Sequence, residues 1–217
     1  MDTVARARSD RGELVLRRRH DGHLELRANG VFVMDTLEHT SERALARHAL
    51  ELAAGDSLRV LVGGLGLGFT LGAALADARV TECTVVEIEP ALVGWLRDGT
   101  VPGGSALLDD ARVDVQVADV ADVLRSAAAS YDVVLLDVDN GPGYLVHDTN
   151  AALYAPPALT AARSALFPGG LLVVWSAAPA PELADALREV FGNASQHSYD
   201  VPRHGRAGQY FLYSARR

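Results

Sequence analysis

Between residues 59 and 71 the chain reads "RVLVGGLGLGFTL", an apolar run that breaks into glycine at positions 64, 66 and 68. Glycine admits positive φ and lets another molecule approach the backbone with no Cβ in between. At a strand-to-helix turn, Gly64, Leu65, Gly66 and Gly68 would offer main-chain N–H groups and a helix N-terminus to a ligand. The dinucleotide pattern G-x-G-x-x-G does not fit, because Phe69 or Leu71 falls at the third glycine; the register is G-x-G-x-G. Three carboxylates stand at the ends of the apolar runs that follow. Glu87, in "VVEIEP", can accept two hydrogen bonds from a ribose diol, and Asp119, in "VQVAD", can accept from the exocyclic amine of adenine. Asp137, in "YDVVLLDVDN", stands at a strand end as a candidate proton acceptor, with Asp139 two residues on to help hold a cationic amine.

Such groups converge only if the chain places their strand ends side by side. From residue 59 onward β and α patterns alternate, with strands expected near 59–64, 82–88, 112–118, 131–138 and 171–177 and helices near 66–77, 90–98, 120–129, 155–166 and 181–191. The strands are continuously apolar, as when helices cover both faces of a parallel sheet, so the expected fold class is doubly wound α/β. "SQHSYDV" and "GQYFLYSA" flank a glycine-containing turn and predict a terminal antiparallel hairpin on the sheet edge, while "SALLDD" reads as a loop. Ahead of this, "ELVLRRR", "HLELRA" and "VFVMD" predict a small three-stranded β-meander turning at Gly22 and Gly30. A helix follows in "TSERALARHALELAAG", with Thr40 or Ser41 as N-cap, Glu42 in its first turn and Gly55 as its stop. The expected division is therefore 1–54, meander plus linking helix, and 55–217, the ligand-binding domain.

With 217 residues, 49% of them hydrophobic, the chain can bury one sizeable core. A net charge of −8 gives no general attraction to nucleic acid or to an anionic membrane, so neither is an expected partner. The basic run Arg17–His20 reads as a solvated hairpin edge. No apolar run reaches the ~18 residues of a membrane span, and no signal peptide is evident, so a cytoplasmic location is expected. Cys83, the single cysteine, lies in a strand pattern and reads as a core residue; seven histidines show no ligand spacing, and no metal is expected.

Glycine turn, Glu87 and Asp119 at successive strand ends form the layout of S-adenosylmethionine sites in class I methyltransferase-like folds. Over nearly its whole length the chain further resembles the polyamine aminopropyltransferases, the spermidine synthase family. The resemblance rests on "NGVFVMDTLEHTSERA", "VLVGGLGLG", "VVEIEP", "VQVADV", "YDVVLLDVDNGPG", "LFPGGLLVVWS" and "DVPRHGRAGQYFLY". It implies a mostly parallel, seven-stranded Rossmann-like methyltransferase sheet with an N-terminal β-unit, and S-adenosylmethionine or its decarboxylated form as cofactor. It also implies a small-molecule amine acceptor, a homodimer, and Asp137 as the carboxylate that helps deprotonate the attacking amine.

The departures bear on the reaction. Leu67 stands where the family's glycine turn carries an aspartate that holds the amino group of the decarboxylated donor. Asn140 replaces the second acid of the D-S-S-D-P pattern, Glu42 and Arg43 replace a Tyr-Gln pair that in the family lines the polyamine channel, and His204 replaces a late tyrosine. Without an acid at position 67, repulsion of the carboxylate of intact S-adenosylmethionine is relaxed, by ~1 kcal/mol or more in a partly desolvated site. On that ground the expected reaction is methyl transfer to an amine-type acceptor, with aminopropyl transfer, or a non-catalytic ligand-binding relative, as alternatives. The loop 139–150 reads as a closing lid or a surface loop, and Asp139, Asn140, Tyr144, His147, Asn150 and His204 are candidate substrate contacts. Trp175 reads as pocket floor or core, and His39 as a hydrogen-bonded structural residue.

Overall fold

The first nine residues look too polar for a strand, yet the computed structural model pairs them into a sheet. It describes residues 1–138, 141–142, 148–203 and 206–217. The N-terminal unit has four antiparallel strands in sequential order: β1 (Asp2–Ser9), β2 (Gly12–Arg18), β3 (Leu24–Ala28) and β4 (Val31–Asp35). β1 escapes the sequence pattern because it is an edge strand with most of its side chains exposed, among them Arg6 and Arg8 paired to Glu13. Asn29 and Gly30 both take positive φ, 51° and 78°, the conformation required by a two-residue hairpin turn. The basic run is more than a solvated edge, since Arg19 bridges to buried Asp35 at 3.2 Å.

Helix α1 (Thr40–Leu52) follows, and its N-cap is His39, without a side-chain cap bond. Neither Thr40 nor Ser41 caps it: Thr40 N–H donates to Glu38 Oε1 at 2.8 Å, and the Ser41 hydroxyl donates to Glu42 Oε2 at 2.6 Å. The main domain then runs β5 (Leu58–Gly63), α2 (Phe69–Leu75), β6 (Val80–Glu87), α3 (Pro90–Arg97), α4 (Gly104–Leu108), β7 (Val113–Val117), α5 (Val120–Ser126) and β8 (Tyr131–Leu136). After a 3-10 turn over Asp148–Tyr154 come α6 (Pro156–Ala165), β9 (Leu166–Ser176), α7 (Pro181–Phe191) and the hairpin β10 (Ser195–Arg203) with β11 (Arg206–Arg216). Prolines open α3, α6 and α7 at a position where the missing N–H costs nothing. The stretch expected as a loop, "SALLDD", contains α4; Gly104 is there for packing, since a Cβ would lie 2.7 Å from Leu96.

The seven strands lie in the order β10-β11-β9-β8-β5-β6-β7, parallel from β9 to β7, with β11 antiparallel to β9 and β10 to β11. Alternate residues of β5 face opposite ways. Val60 and Val62 join a buried cluster with α1, α2, α3 and the N-terminal sheet, through Leu16, Leu26, Met34, Leu45, Leu71 and Leu96. Leu61 joins a second cluster with α5, α6 and α7. This is the doubly wound fold expected. The chain runs from β5 outward to β7, then returns to add β8 on the other side of β5, so a crevice opens at the carboxyl ends of β6, β5 and β8.

Candidate active site

The glycine turn fills that crevice's edge for reasons internal to the protein. Gly64 (φ +95°) lies so close to the strand beside it that a Cβ would sit 2.1 Å from the Asp137 carbonyl oxygen. At Gly66 (φ +51°) a Cβ would come within 2.6 Å of Met34 Sδ, and Met34 Sδ accepts the Leu67 N–H at 3.3 Å. A residue of the N-terminal sheet thus clamps the turn. At Gly64 the backbone collision admits only glycine, at Gly66 a side chain would have to displace Met34, and Gly64, Gly66 and Met34 all line the cavity.

That cavity, of about 250 Å³, joins Gly64, Gly66, Glu87, Asp119, Asp137 and Trp175, together with Arg11 and Glu42. Four of the residues expected to bind a nucleoside therefore share one space with the expected base. Gly68 lies instead on a separate groove, and the Leu65 and Leu67 side chains are buried in the core at 3% and 4% exposure. Leu65 serves through its N–H, which donates to Glu87 Oε2 at 3.0 Å.

Glu87 ends β6 and is 7% exposed. Its Oε1 accepts the Glu89 N–H at 2.9 Å, so each oxygen holds one main-chain N–H and keeps a lone pair for a further donor. Burial raises its pKa, and those N–H bonds oppose the rise. Asp119 is exposed and N-caps α5, with Oδ1 accepting from Ala121 N–H at 2.8 Å; its other oxygen is left for a ligand.

Asp137 follows β8 directly. Its N–H is fixed on Gly63 O at 2.8 Å, and its Oδ2 accepts the Thr70 hydroxyl at 2.6 Å. The same hydroxyl lies 3.3 Å from the carbonyl oxygen of Glu42, so Thr70 ties the start of α2 to both α1 and β8. Burial raises the pKa of Asp137, and burial followed by the charge of Asp137 raises that of Glu42. Among the described residues neither carboxylate belongs to an ion pair.

Sequence reasoning missed two contributors to this space, Met34 and Arg11, and gave a third, Glu42, no role of its own. Glu42 stood out only as a departure from the family pattern. Arg11, in the β1–β2 turn, carries no motif at all; it reaches the cavity rim, where Nη2 donates to Asn150 Oδ1 at 3.1 Å and Nε lies 3.8 Å from Glu89 Oε1. Trp175 is both wall and core, 7% exposed and stacked on Tyr210 at 6.5 Å between ring centroids. His39 packs edge-on against Phe69 at 4.4 Å, and its Nδ1 has no hydrogen-bond partner, contrary to the structural hydrogen bond expected of it. Burial pushes the Cys83 thiol up to about 12, as suits an inert core residue. Asp139, Asn140, Tyr144, His147 and His204 lie outside the described residues, and most of the expected lid lies there with them. No group of metal-ligating side chains is found among the described residues.

A glycine turn and strand-end acids over the switch point of a doubly wound sheet define the Rossmann-like methyltransferase fold, here with an added four-stranded sheet. Within that class the chain is similar to polyamine aminopropyltransferases in sequence and to spermidine synthases in fold. It is 26% identical over 164 residues to a polyamine aminopropyltransferase of Synechococcus sp., covering 70% of this chain and 50% of the relative. It is 31% identical over 131 residues to the polyamine aminopropyltransferase of Mycobacterium tuberculosis, covering 58% of this chain and 24% of that one. The spermidine synthase of Thermotoga maritima superposes with a TM-score of 0.81 at 18% identity, over 99% of this chain and 72% of the other. A probable spermidine synthase from Corynebacterium glutamicum gives 0.72 at 21% identity, over 97% and 79%. The chain spans about half the length of the Synechococcus relative and of another from Sulfolobus acidocaldarius. No protein-family model matches it.

Two expectations need correction. The side chain of Leu67 is buried away from the cavity, so its identity leaves the cavity's charge unchanged, while Glu42 and Asp137 supply two acids there. The argument that this chain relaxes the exclusion of a carboxylate therefore loses its physical basis. The curated relatives named above are aminopropyltransferases, which supports the alternative and not methyl transfer.

Proposed function

We propose that the chain transfers the aminopropyl group of decarboxylated S-adenosylmethionine to a small amine acceptor. The observation that carries this reading is the single cavity that joins the glycine turn, Glu87, Asp119 and Asp137. Glu87 takes the two ribose hydroxyls on its free lone pairs, and the second oxygen of Asp119 takes the adenine amine. That arrangement brings the sulfonium past Gly64 and Gly66 toward Asp137. The relatives' names and the fold supply the reaction class.

In the reaction the acceptor nitrogen's lone pair attacks the propyl carbon on sulfur. The carbon–sulfur bond breaks with its electron pair going to sulfur, so methylthioadenosine leaves, and the new ammonium gives its proton to Asp137. No covalent enzyme intermediate is needed; the protein contributes alignment and a proton acceptor. A raised carboxylate pKa helps Asp137 take that proton, and Thr70, donating at 2.6 Å, keeps its reactive oxygen aimed.

The test incubates the protein with a short diamine and either decarboxylated or intact S-adenosylmethionine. Methylthioadenosine and an aminopropylated amine are expected from the first mixture only. A methylated amine from the second, with no turnover of the first, overturns the proposal. Asp137→Asn is expected to lower kcat by about 10²–10⁴-fold while leaving methylthioadenosine binding intact.

A further inference from the structure

We propose that Glu42 and Asp137 together receive the ammonium group of a ligand that carries no carboxylate beside it, and that Glu42 is thereby a specificity-determining residue. The inference rests on the reading above for the place of the nucleoside, but its grounds are different. Glu42 belongs to α1, outside the nucleotide-binding sheet, and lines the same cavity as Asp137. Of the hydrogen bonds found, Glu42 Oε2 has only that from its neighbour Ser41, and Asp137 Oδ2 only that from Thr70; neither partner carries charge.

Two partly buried carboxylates lining one cavity repel one another, and with neither ion-paired among the described residues the charge on one penalises the charge on the other. A primary ammonium between them resolves this: it has three donors, no acceptor and one positive charge, and it pairs with both acids at once. A carboxylate in the same place would be a third negative group and is excluded. A second feature of the cavity also points to a polar occupant. Trp175 lines it, is 7% exposed, and its buried Nε1 has no hydrogen-bond partner. A buried donor without an acceptor is costly, and a bound ligand or the water it carries satisfies it. The Trp175 ring, stacked on Tyr210, which is in turn stacked on Tyr199 at 5.1 Å, adds an aromatic wall whose face favours a cation.

An ammonium free of a carboxylate occurs at two places in the proposed reaction, on the donor's propyl tail and on the acceptor amine. Calorimetry on wild type and on Glu42→Gln distinguishes them, with four probes: decarboxylated S-adenosylmethionine, intact S-adenosylmethionine, methylthioadenosine and 1,4-diaminobutane. The change is nearly isosteric, and Gln keeps an oxygen to accept from Ser41. Glu42→Asp keeps the charge and guards against a merely steric effect. For a donor-tail site, Glu42→Gln weakens the decarboxylated donor tenfold or more, leaves methylthioadenosine unchanged, and narrows the preference over the intact cofactor; Glu42→Asp recovers part of the loss. For an acceptor site, the loss falls on the diamine instead. Either result supports the inference. If methylthioadenosine binds and Glu42→Gln moves neither the decarboxylated donor nor the diamine, the inference is overturned and the proposed function stands. If methylthioadenosine fails to bind wild type, the proposed function falls, and the diamine arm alone decides the ammonium site: a tenfold loss supports it and no loss overturns it.

Discussion

Gly64 and Gly192 both take positive φ, but they do so in different company. At Gly192, the C-cap of α7, an added Cβ meets nothing within 4 Å, so Gly192→Ala costs only the left-handed conformation, about 1 kcal/mol. At Gly64 the same cost is joined by a backbone collision with Asp137 O, where a Cβ would lie 2.1 Å away, and the two segments are held together by the paired, close-packed strands β5 and β8 that they follow. Gly64→Ala is expected to cost about 3 kcal/mol or more by urea unfolding, well beyond Gly192→Ala; equal losses would mean that the turn yields easily. Glu42 gives the opposite sign. Its pKa is raised in the folded protein by burial, then by Asp137, with Glu38 adding to the rise. The folded state therefore disfavours its charge, and the penalty is complete above the folded pKa. As pH falls through that pKa the folded state takes up the proton first, and below the unfolded pKa the penalty is gone. Glu42→Gln should accordingly raise the Tm of the ligand-free protein by about 2–4 °C near pH 8 and by almost nothing near pH 4. A melting series across that range checks it, and a loss of stability at the higher pH would contradict the unpaired-acid account.

Among the elements, β4 has a role that its length does not suggest. Its Met34 is 8% exposed, fills the space beside Gly66 and accepts the Leu67 N–H. Met34→Ala removes that acceptor and opens a void under the glycine turn, so a loss of about 2–4 kcal/mol in stability is expected, with weaker methylthioadenosine binding. Unchanged binding at reduced stability would show that the turn holds its shape without the clamp. The elements of the main sheet were legible because a strand covered on both faces must be apolar along its length, as in "VVLL" and "LLVV". β1 was not, because an exposed edge strand carries no such pattern, and α4 was hidden between glycines and acids. The site was half legible. Glu87, Asp119 and Asp137 declare themselves by ending apolar strands, since the strand ends of one sheet must meet. Glu42 does not, because its approach to Asp137 depends on how α1 packs across α2, which brings together α1 and the end of β8, far apart in sequence. Leu67 misled for a related reason: the alternation of glycines fixes the register of the turn but not which side chains of the turn are buried away from the cavity.

At the scale of the molecule, the two parts divided in sequence near residue 54 share one buried cluster, from Leu16 and Leu26 through Leu45 to Val62 and Leu135. Thermal unfolding followed by tryptophan fluorescence, from Trp95 and Trp175, and by far-ultraviolet circular dichroism is expected to give one coincident transition. Two separated transitions would show independent domains. The shared cluster also explains how an N-terminal unit can act on a site it does not contain: Met34, Glu42 and Arg11 all reach the crevice because that unit lies against the crevice's own face of the sheet. No helix among the described residues is long and apolar enough to cross a membrane. The central claim, that a nucleoside lies over the ends of β6, β5 and β8 with its sugar on Glu87, is tested most directly by titrating methylthioadenosine into wild type and Glu87→Gln in a calorimeter. The account predicts one site per chain and a loss of about 10- to 100-fold in the variant, the worth of a charged hydrogen-bond pair. No binding to the wild type, or equal affinity in a folded Glu87→Gln variant, would contradict it.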